Sequence, residues 1–477
     1  MHLLIALPVL LGPWLSSQSL ALAYRPLNPT SNWSRPRISS PVVARRMKSP
    51  SPAILLSMKL SLKAAPIDAA TPSSSASSSA AEWHRKRRQE MLAKYGNQIA
   101  PLERTADSQS LGLALLGFLN MTLAALSVYC GLQSNFVTTF LLALFPGSIL
   151  SLWQLQILHD DLHGCLLNKS KQQFTVPIVK WSVSKKHLQQ AILFWGSMPS
   201  VFGYYLYLKY GHLTHHQAVG NSQAANLRQV FDSDQVNFED GDVLFVAHRM
   251  KLLGEIGPRF PIGKNKEIIM SISNTGFSNW KTGKAVWNAV VFAASFLFER
   301  FMLTINDVVV ALAGRNFFFP NKPKQFHREC ARYCRAAVLV RGLLWFLGGK
   351  SWHTLLFLYL AETLWSIPPH PACAMFVTNH GSSSNHQGQM AAHPTDACIP
   401  SSSTYAGKWY SILTLGTNYH CEHHDFPTIP LHKLGKLREI APEYYRQGSS
   451  DRLGSIMRDT FAHPDYYACM NDMDALR

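Results

Sequence analysis

Three short stretches of this chain concentrate imidazole. "LHDDLHG" carries His159 and His163, "GHLTHHQ" carries His212, His215 and His216, and "NYHCEHHDFP" carries His420, His423 and His424. Neighbouring imidazoles repel one another when protonated and compete for the same partners when neutral, so crowding them costs free energy unless something draws them together. On a helix, positions i, i+3 and i+4 share a face, so H-x-x-H-H and H-x-x-x-H each aim their rings at one point. One such cluster reads equally well as polar surface; three with helical ligand spacing read as a shared metal centre. Eight nitrogens exceed the three or four protein ligands of a single zinc ion. They suit two ions of a metal that accepts many imidazoles and works on dioxygen, which points to iron. Asp160, Asp161, Glu422 and Asp425 lie within or beside the clusters and are candidates to orient the rings by hydrogen bonding. For Asp161 a solvated surface position is the alternative.

Such ligands need rigid elements to converge. The chain is 47% hydrophobic and only 15% charged, and the apolar residues fall in long runs. Residues 111–132 carry no charge and are long enough to cross a bilayer, and 136–157 follow at once and stop at the first histidine cluster. Residues 285–314 form a third apolar region around Glu299-Arg300, and 336–367 a fourth, broken near Gly348-Gly349-Lys350. An even number of crossings would leave all three clusters on one face of the membrane; an odd number would strand the third. Between the first two clusters, 191–208 hold Gly196, Pro199 and Gly203 and read as interfacial or re-entrant. The basic stretch 82–102 has Leu92, Tyr95 and Ile99 on one side, as a helix lying on the membrane surface would. The expected fold is therefore an all-α integral membrane protein of about four transmembrane helices, with a membrane-surface helical cap holding the metals.

The formal charge of +17 would suit nucleic acid. However, the Lys and Arg are scattered among apolar runs without a nucleic-acid motif, and anionic lipid headgroups explain them more simply. Eight cysteines show no C-x-x-C pair, which fits a reducing compartment. The N-terminal "HLLIALPVLLGPWLSSQSLALA" reads as a secretory signal, and the stretch from Tyr24 to Ile67 is basic, Ser/Pro/Ala-rich and free of acidic residues, as transit peptides are. Together they resemble the bipartite plastid address of algae with secondary plastids. The expected organisation is a targeting presequence and linker over 1–82, one catalytic domain over 83–445 and a tail over 446–477.

These boxes in this order, around two pairs of apolar regions, resemble the membrane fatty-acid desaturase and hydroxylase superfamily. Within it, "WHRKRRQEMLAKY" (83–95), "GSMPSVFGYYLYLKYGHLTHH" (196–216), "NYHCEHHDFPTIP" (418–430) and "LREIAPEYY" (437–445) are similar to segments of the sphingolipid delta-4 desaturases. The resemblance implies that the eight box histidines are iron ligands. It adds a further ligand after the fourth apolar region, for which His380 of "MFVTNHGSS" stands in the matching place, with His386 and His393 nearby. It implies molecular oxygen as co-substrate and an external electron donor, cytochrome b5 in the endoplasmic reticulum or a ferredoxin in a plastid.

The leading expectation is a membrane lipid desaturase acting on a sphingolipid or fatty acyl chain. A carotenoid ketolase or hydroxylase of the same superfamily is the alternative. A non-enzymatic metal-binding or transport protein would place ionisable residues inside the spans, and the first two apolar runs carry none.

Overall fold

The computed structural model describes residues 80–103, 109–167, 173–176, 181–199, 201, 203–213, 216, 281–316, 323–375, 403–445 and 452–462. They belong to one compact unit, Ser77–Arg477. The expected presequence, His215, and His380 with His386 and His393 fall outside the described residues.

A basic sequence builds the first long helix and a charge-free one the second. Helix α1 spans Ala80–Ile99 and α2 Gln109–Gln133. Asn135 then caps α3, Phe136–Leu142, by accepting from the Thr138 amide at 2.9 Å. Pro146 has no N–H to give and its ring crowds the preceding turn. The helix accordingly widens into a π-turn over Ala143–Gly147, with Phe145 out of helical geometry at φ −155 and ψ 122, and resumes as α4, Ser148–Leu162. Leu111–Gln133 and Phe136–Leu162 are long and apolar enough to cross a membrane. Their outer faces leave Leu111, Phe118, Leu132 and Phe145 61–70% exposed, a surface suited to lipid rather than water.

A two-stranded antiparallel hairpin, β1 Gln173–Val176 and β2 Trp181–Ser184, leads into α5, Lys185–Gly196, and is the one sheet among the described residues. After it, α6 (Tyr204–Leu206) runs into a π-turn, Tyr207–His212. Then come α7 Lys281–Ala313, α8 Lys324–Leu347 and α9 Trp352–Leu364.

The break expected in the fourth apolar region is a full reversal between α8 and α9. Gly349 and Lys350 take left-handed φ values of 72 and 60, and the Lys350 amide donates to the Trp345 carbonyl at 2.8 Å. A Cβ on Gly131 would lie nearly on Thr354 Oγ1 and 2.6 Å from the Gly348 carbonyl, so the end of α2 meets the α8–α9 turn backbone to backbone. The other end of α8 lies beside the second histidine cluster, where Glu329 accepts from Tyr210 at 2.6 Å and also binds Tyr205 and Lys209. Thus α8 leads away from the histidines and α9 leads back.

The C-terminal part comprises α10 Lys408–Leu413, α11 His420–Asp425, α12 Leu434–Ile440 and α13 Leu453–Ala462. Here the expectation for the basic N-terminal stretch needs correction. Of the side expected to meet the membrane, Leu92 stays 39% exposed, whereas Ile99 lies with His84 and Met91 on the face that α1 buries. That face packs on protein: Met91, Ile99 and Leu102 form one apolar cluster with Phe426, Ile429, Leu431, Leu434, Leu437, Ala441 and Tyr445. The partner surface, and not the amphipathic pattern alone, selects which side of the helix is covered.

Candidate metal centre

Each histidine cluster sits where a helix ends or bends. His159 and His163 occupy the last turn of α4, with His163 capping it at φ −82 and ψ 4, and their ring centroids are 4.7 Å apart. His212 closes the π-turn after α6, and His216 follows one turn later. His420, His423 and His424 all lie on the six-residue α11, whose side chains are buried throughout.

The three elements bring their nitrogens together. His163 Nε2 lies 3.2 Å from His212 Nε2, which lies 2.9 Å from His216 Nε2, which in turn lies 3.0 Å from His423 Nε2. With His159, whose ring is 4.4 Å from those of both His212 and His423, these five present ligand atoms that all lie within 4.8 Å of one another. A second focus joins His420 Nε2 and His424 Nε2 at 3.1 Å, and the His424 ring stacks 4.2 Å from His216, tying the two foci.

This donor set fits metal ions better than it fits hydrogen bonding. A neutral imidazole nitrogen either donates one proton or accepts one, so a chain of four mutually facing Nε2 atoms cannot satisfy all its contacts. Two nitrogens about 2.1 Å from one ion and at right angles stand roughly 3 Å apart, which is the spacing found. Burial, and then His159, His163 and His216, hold His423 well below the usual histidine range, so it is neutral and ready to ligate at pH 7. His163, His212, His216 and His423 with His159 would hold one iron, and His420 with His424 would contribute to the second.

The four carboxylates are placed less uniformly than their sequence proximity implies. Asp160 accepts from the Leu431 amide at 3.2 Å, tying the first cluster to the turn after the third. Asp161, expected to orient a ring or to face solvent, is fully buried, and its carboxylate has no hydrogen-bond partner among the described residues. Glu422 accepts from Ser403 at 2.6 Å and from Tyr405, anchoring the strand-like segment before α10. Burial pushes the Glu422 carboxyl up to about 7 against the pull of those bonds. Asp425 turns to α1, binding His84 Nδ1 at 2.7 Å and Arg87 Nη2 at 3.0 Å. Ser403, Tyr405, His84 and Arg87 carried no signal in a reading of local spacing, because each meets its partner only through the fold.

Comparison with known proteins agrees with this geometry. Residues 134–453 match the family model "Fatty acid desaturase". A putative sphingolipid delta(4)-desaturase/C4-monooxygenase of Caenorhabditis elegans is 37% identical over 103 residues, 22% of this chain and 24% of the relative. A human sphingolipid delta(4)-desaturase is 35% identical over 103 residues, 22% of this chain and 26% of the relative. A rice homologue described as delta(4)-desaturase-like is 55% identical over 49 residues, 10% of this chain and 14% of the relative. The chain thus spans about a quarter or less of the length of the curated relatives it matches. No solved structure matches it.

Proposed function

The chain belongs to the fatty acid desaturase family, and from that premise we propose that it is a membrane di-iron desaturase that introduces a double bond into the alkyl chain of a sphingolipid or related lipid. The observation that carries the reading is the convergence of His159, His163, His212, His216 and His423, from three separate elements, on one buried focus. Bound iron supplies the oxygen activation needed to take hydrogen from methylenes that have no acid–base handle. The chain's own residues do the rest. His423, held neutral by burial, stays available to ligate, the tilted rings of α11 fix the second focus beside the first, and the apolar helices exclude water. The similarity to sphingolipid delta(4)-desaturases favours a long-chain lipid whose polar end stays at the membrane surface, so that the iron position sets a fixed distance from headgroup to double bond.

In this reading α8, leading away from the histidines, and α9, leading back, complete an even number of crossings, four in all with α2 and α3–α4, and all histidine clusters share one face. Electrons come from a ferredoxin or cytochrome b5. Residues 1–82 act as a plastid-targeting presequence, and a fluorescent passenger carrying them should enter the plastid of an alga with a secondary plastid; retention in the endoplasmic reticulum would assign the enzyme there, with cytochrome b5 as donor.

The test of activity is expression of the full chain in a yeast lacking sphingolipid desaturation, with an electron donor co-expressed and lipids read by mass spectrometry. A new double bond at one fixed position in the long-chain base or acyl chain is expected. Unchanged lipids together with a co-supplied carotenoid gaining a keto or hydroxyl group would overturn the lipid reading.

A further inference from the structure

Helix α11 carries three of the ligands on six residues, fewer than two turns. So short a helix has no stability of its own. Neither Tyr419 at its start nor Phe426 at its end gives it a side-chain cap. Its geometry must therefore be imposed from outside, and the hydrogen bonds identify the source. Asp425, its last residue, has a fully buried side chain gripped from α1, more than 330 residues earlier. His84 Nδ1 lies 2.7 Å from Asp425 Oδ1, and Arg87 forks onto the same carboxylate through Nε at 3.2 Å and Nη2 at 3.0 Å.

Arg87 Nη2 also donates to the Tyr444 carbonyl at 2.8 Å, so one guanidinium joins α1, α11 and the turn after α12. The His84 ring lies 5.2 Å from the ring of His424, tilted by 31°. Farther along α1, Lys94 and Tyr95 bind Glu443, and Met91 Sδ accepts from the Tyr445 hydroxyl at 3.4 Å.

His84, Cys421 and Asp425 present ligand atoms within 4.8 Å of one another, which would suit a metal ion. Arg87 occupies that role already. Its guanidinium supplies the positive charge that the Asp425 carboxylate requires and comes within 3.9 Å of Cys421 Sγ. A bidentate arginine fork fixes a carboxylate in orientation as well as charge.

We propose that Asp425, clamped by His84 and Arg87, is the positioning residue of the third histidine cluster, and that α1 is an integral part of the metal site. The inference rests on the reading of the box histidines as iron ligands. It extends the functional unit beyond the matched family domain, which begins at residue 134.

Iron retention by the purified full-length protein tests it. The rate of iron release to an excess of chelator is measured for wild type, D425N, H84Q and R87K. The variant E90Q serves as control, because Glu90 lies on the exposed face of the same helix. Thermal midpoints and the visible spectrum of cobalt-substituted protein are recorded in parallel. D425N and H84Q should release iron roughly 10- to 100-fold faster, the usual cost of losing a group that orients a ligand, and should shift the cobalt spectrum. R87K should fall between them and wild type, and E90Q should match wild type. If D425N does not fold, H84Q on the docked helix carries the comparison. Release rates for H84Q and D425N within twofold of wild type would overturn the clamp. So would losses that merely follow the thermal midpoint across all four variants. Wild-type protein that binds no iron would instead remove the metal reading on which the clamp depends.

Discussion

An imidazole nitrogen that faces two others at about 3 Å, as His212 and His216 do, competes with them for one proton, and in the proposed di-iron reading a shared cation relieves that competition. The histidines therefore act as a set, and any one of them should be indispensable. Replacing His163, His216 or His424 by Ala should abolish turnover and lower iron per chain while leaving membrane insertion intact, as lipid mass spectrometry, metal analysis and carbonate extraction would show. Full activity from a protein carrying stoichiometric zinc would contradict this. At Glu422 the stakes are structural: E422A strands the hydroxyls of Ser403 and Tyr405 in a buried site, and unsatisfied buried donors cost about 1–3 kcal/mol.

Helices set how closely those residues can approach. The contact of α2 with the α8–α9 turn is glycine on glycine, so G131A must push the two apart, because the added methyl meets backbone as well as Thr354. Overpacking of this kind costs about 1–3 kcal/mol. By contrast, Gly117 in the same helix has open space around its missing Cβ, and G117A should be neutral or slightly stabilising. Thermal midpoints in detergent would separate the two. Docking of α1 should also depend on pH. Hydrogen bonds from Lys94, then Tyr95, lower the Glu443 carboxyl from 4.5 to about 2. Its anchoring contribution is therefore present above pH 4.5 and lost as pH falls toward 2. Hydrogen exchange of α1 amides should be faster in E443Q than in wild type near neutrality, by a modest factor because Lys94 is 58% exposed. The difference should close as the medium is acidified.

At the scale of the whole molecule, the functional unit is assembled from both ends of the described chain. The apolar cluster of α1 with the segment 421–445 makes the first helix a structural partner of the last ligands. Phe426, fully buried at the centre of that cluster, should cost about 3–5 kcal/mol on replacement by Ala, read as release of α1 to protease. A chain trimmed to residues 80–477 should keep its iron, and one trimmed to 104–477 should lose it.

The sequence by itself determined the kind and order of the histidine clusters. Histidines at i, i+3 and i+4 signal a shared face because helical geometry repeats locally, and charge-free runs such as 111–132 signal lipid because no water-soluble helix would expose them. The reversal at Gly348–Lys350 was likewise visible as a break, since glycines in succession interrupt any apolar helix. Those properties depend on neighbours in the chain. What only the tertiary structure decided were relations between distant residues. Asp425 beside His424 looked like a group that orients a ring, yet its partners are His84 and Arg87 of α1. Glu422 looked equivalent and serves Ser403 and Tyr405. Ile99, assigned with Leu92 and Tyr95 to the membrane side, is buried on protein instead, because the cluster around Phe426 offered α1 a surface to cover. A carboxylate's partner and an amphipathic helix's buried face are set by whatever the fold brings within about 3–4 Å, and no local spacing encodes that.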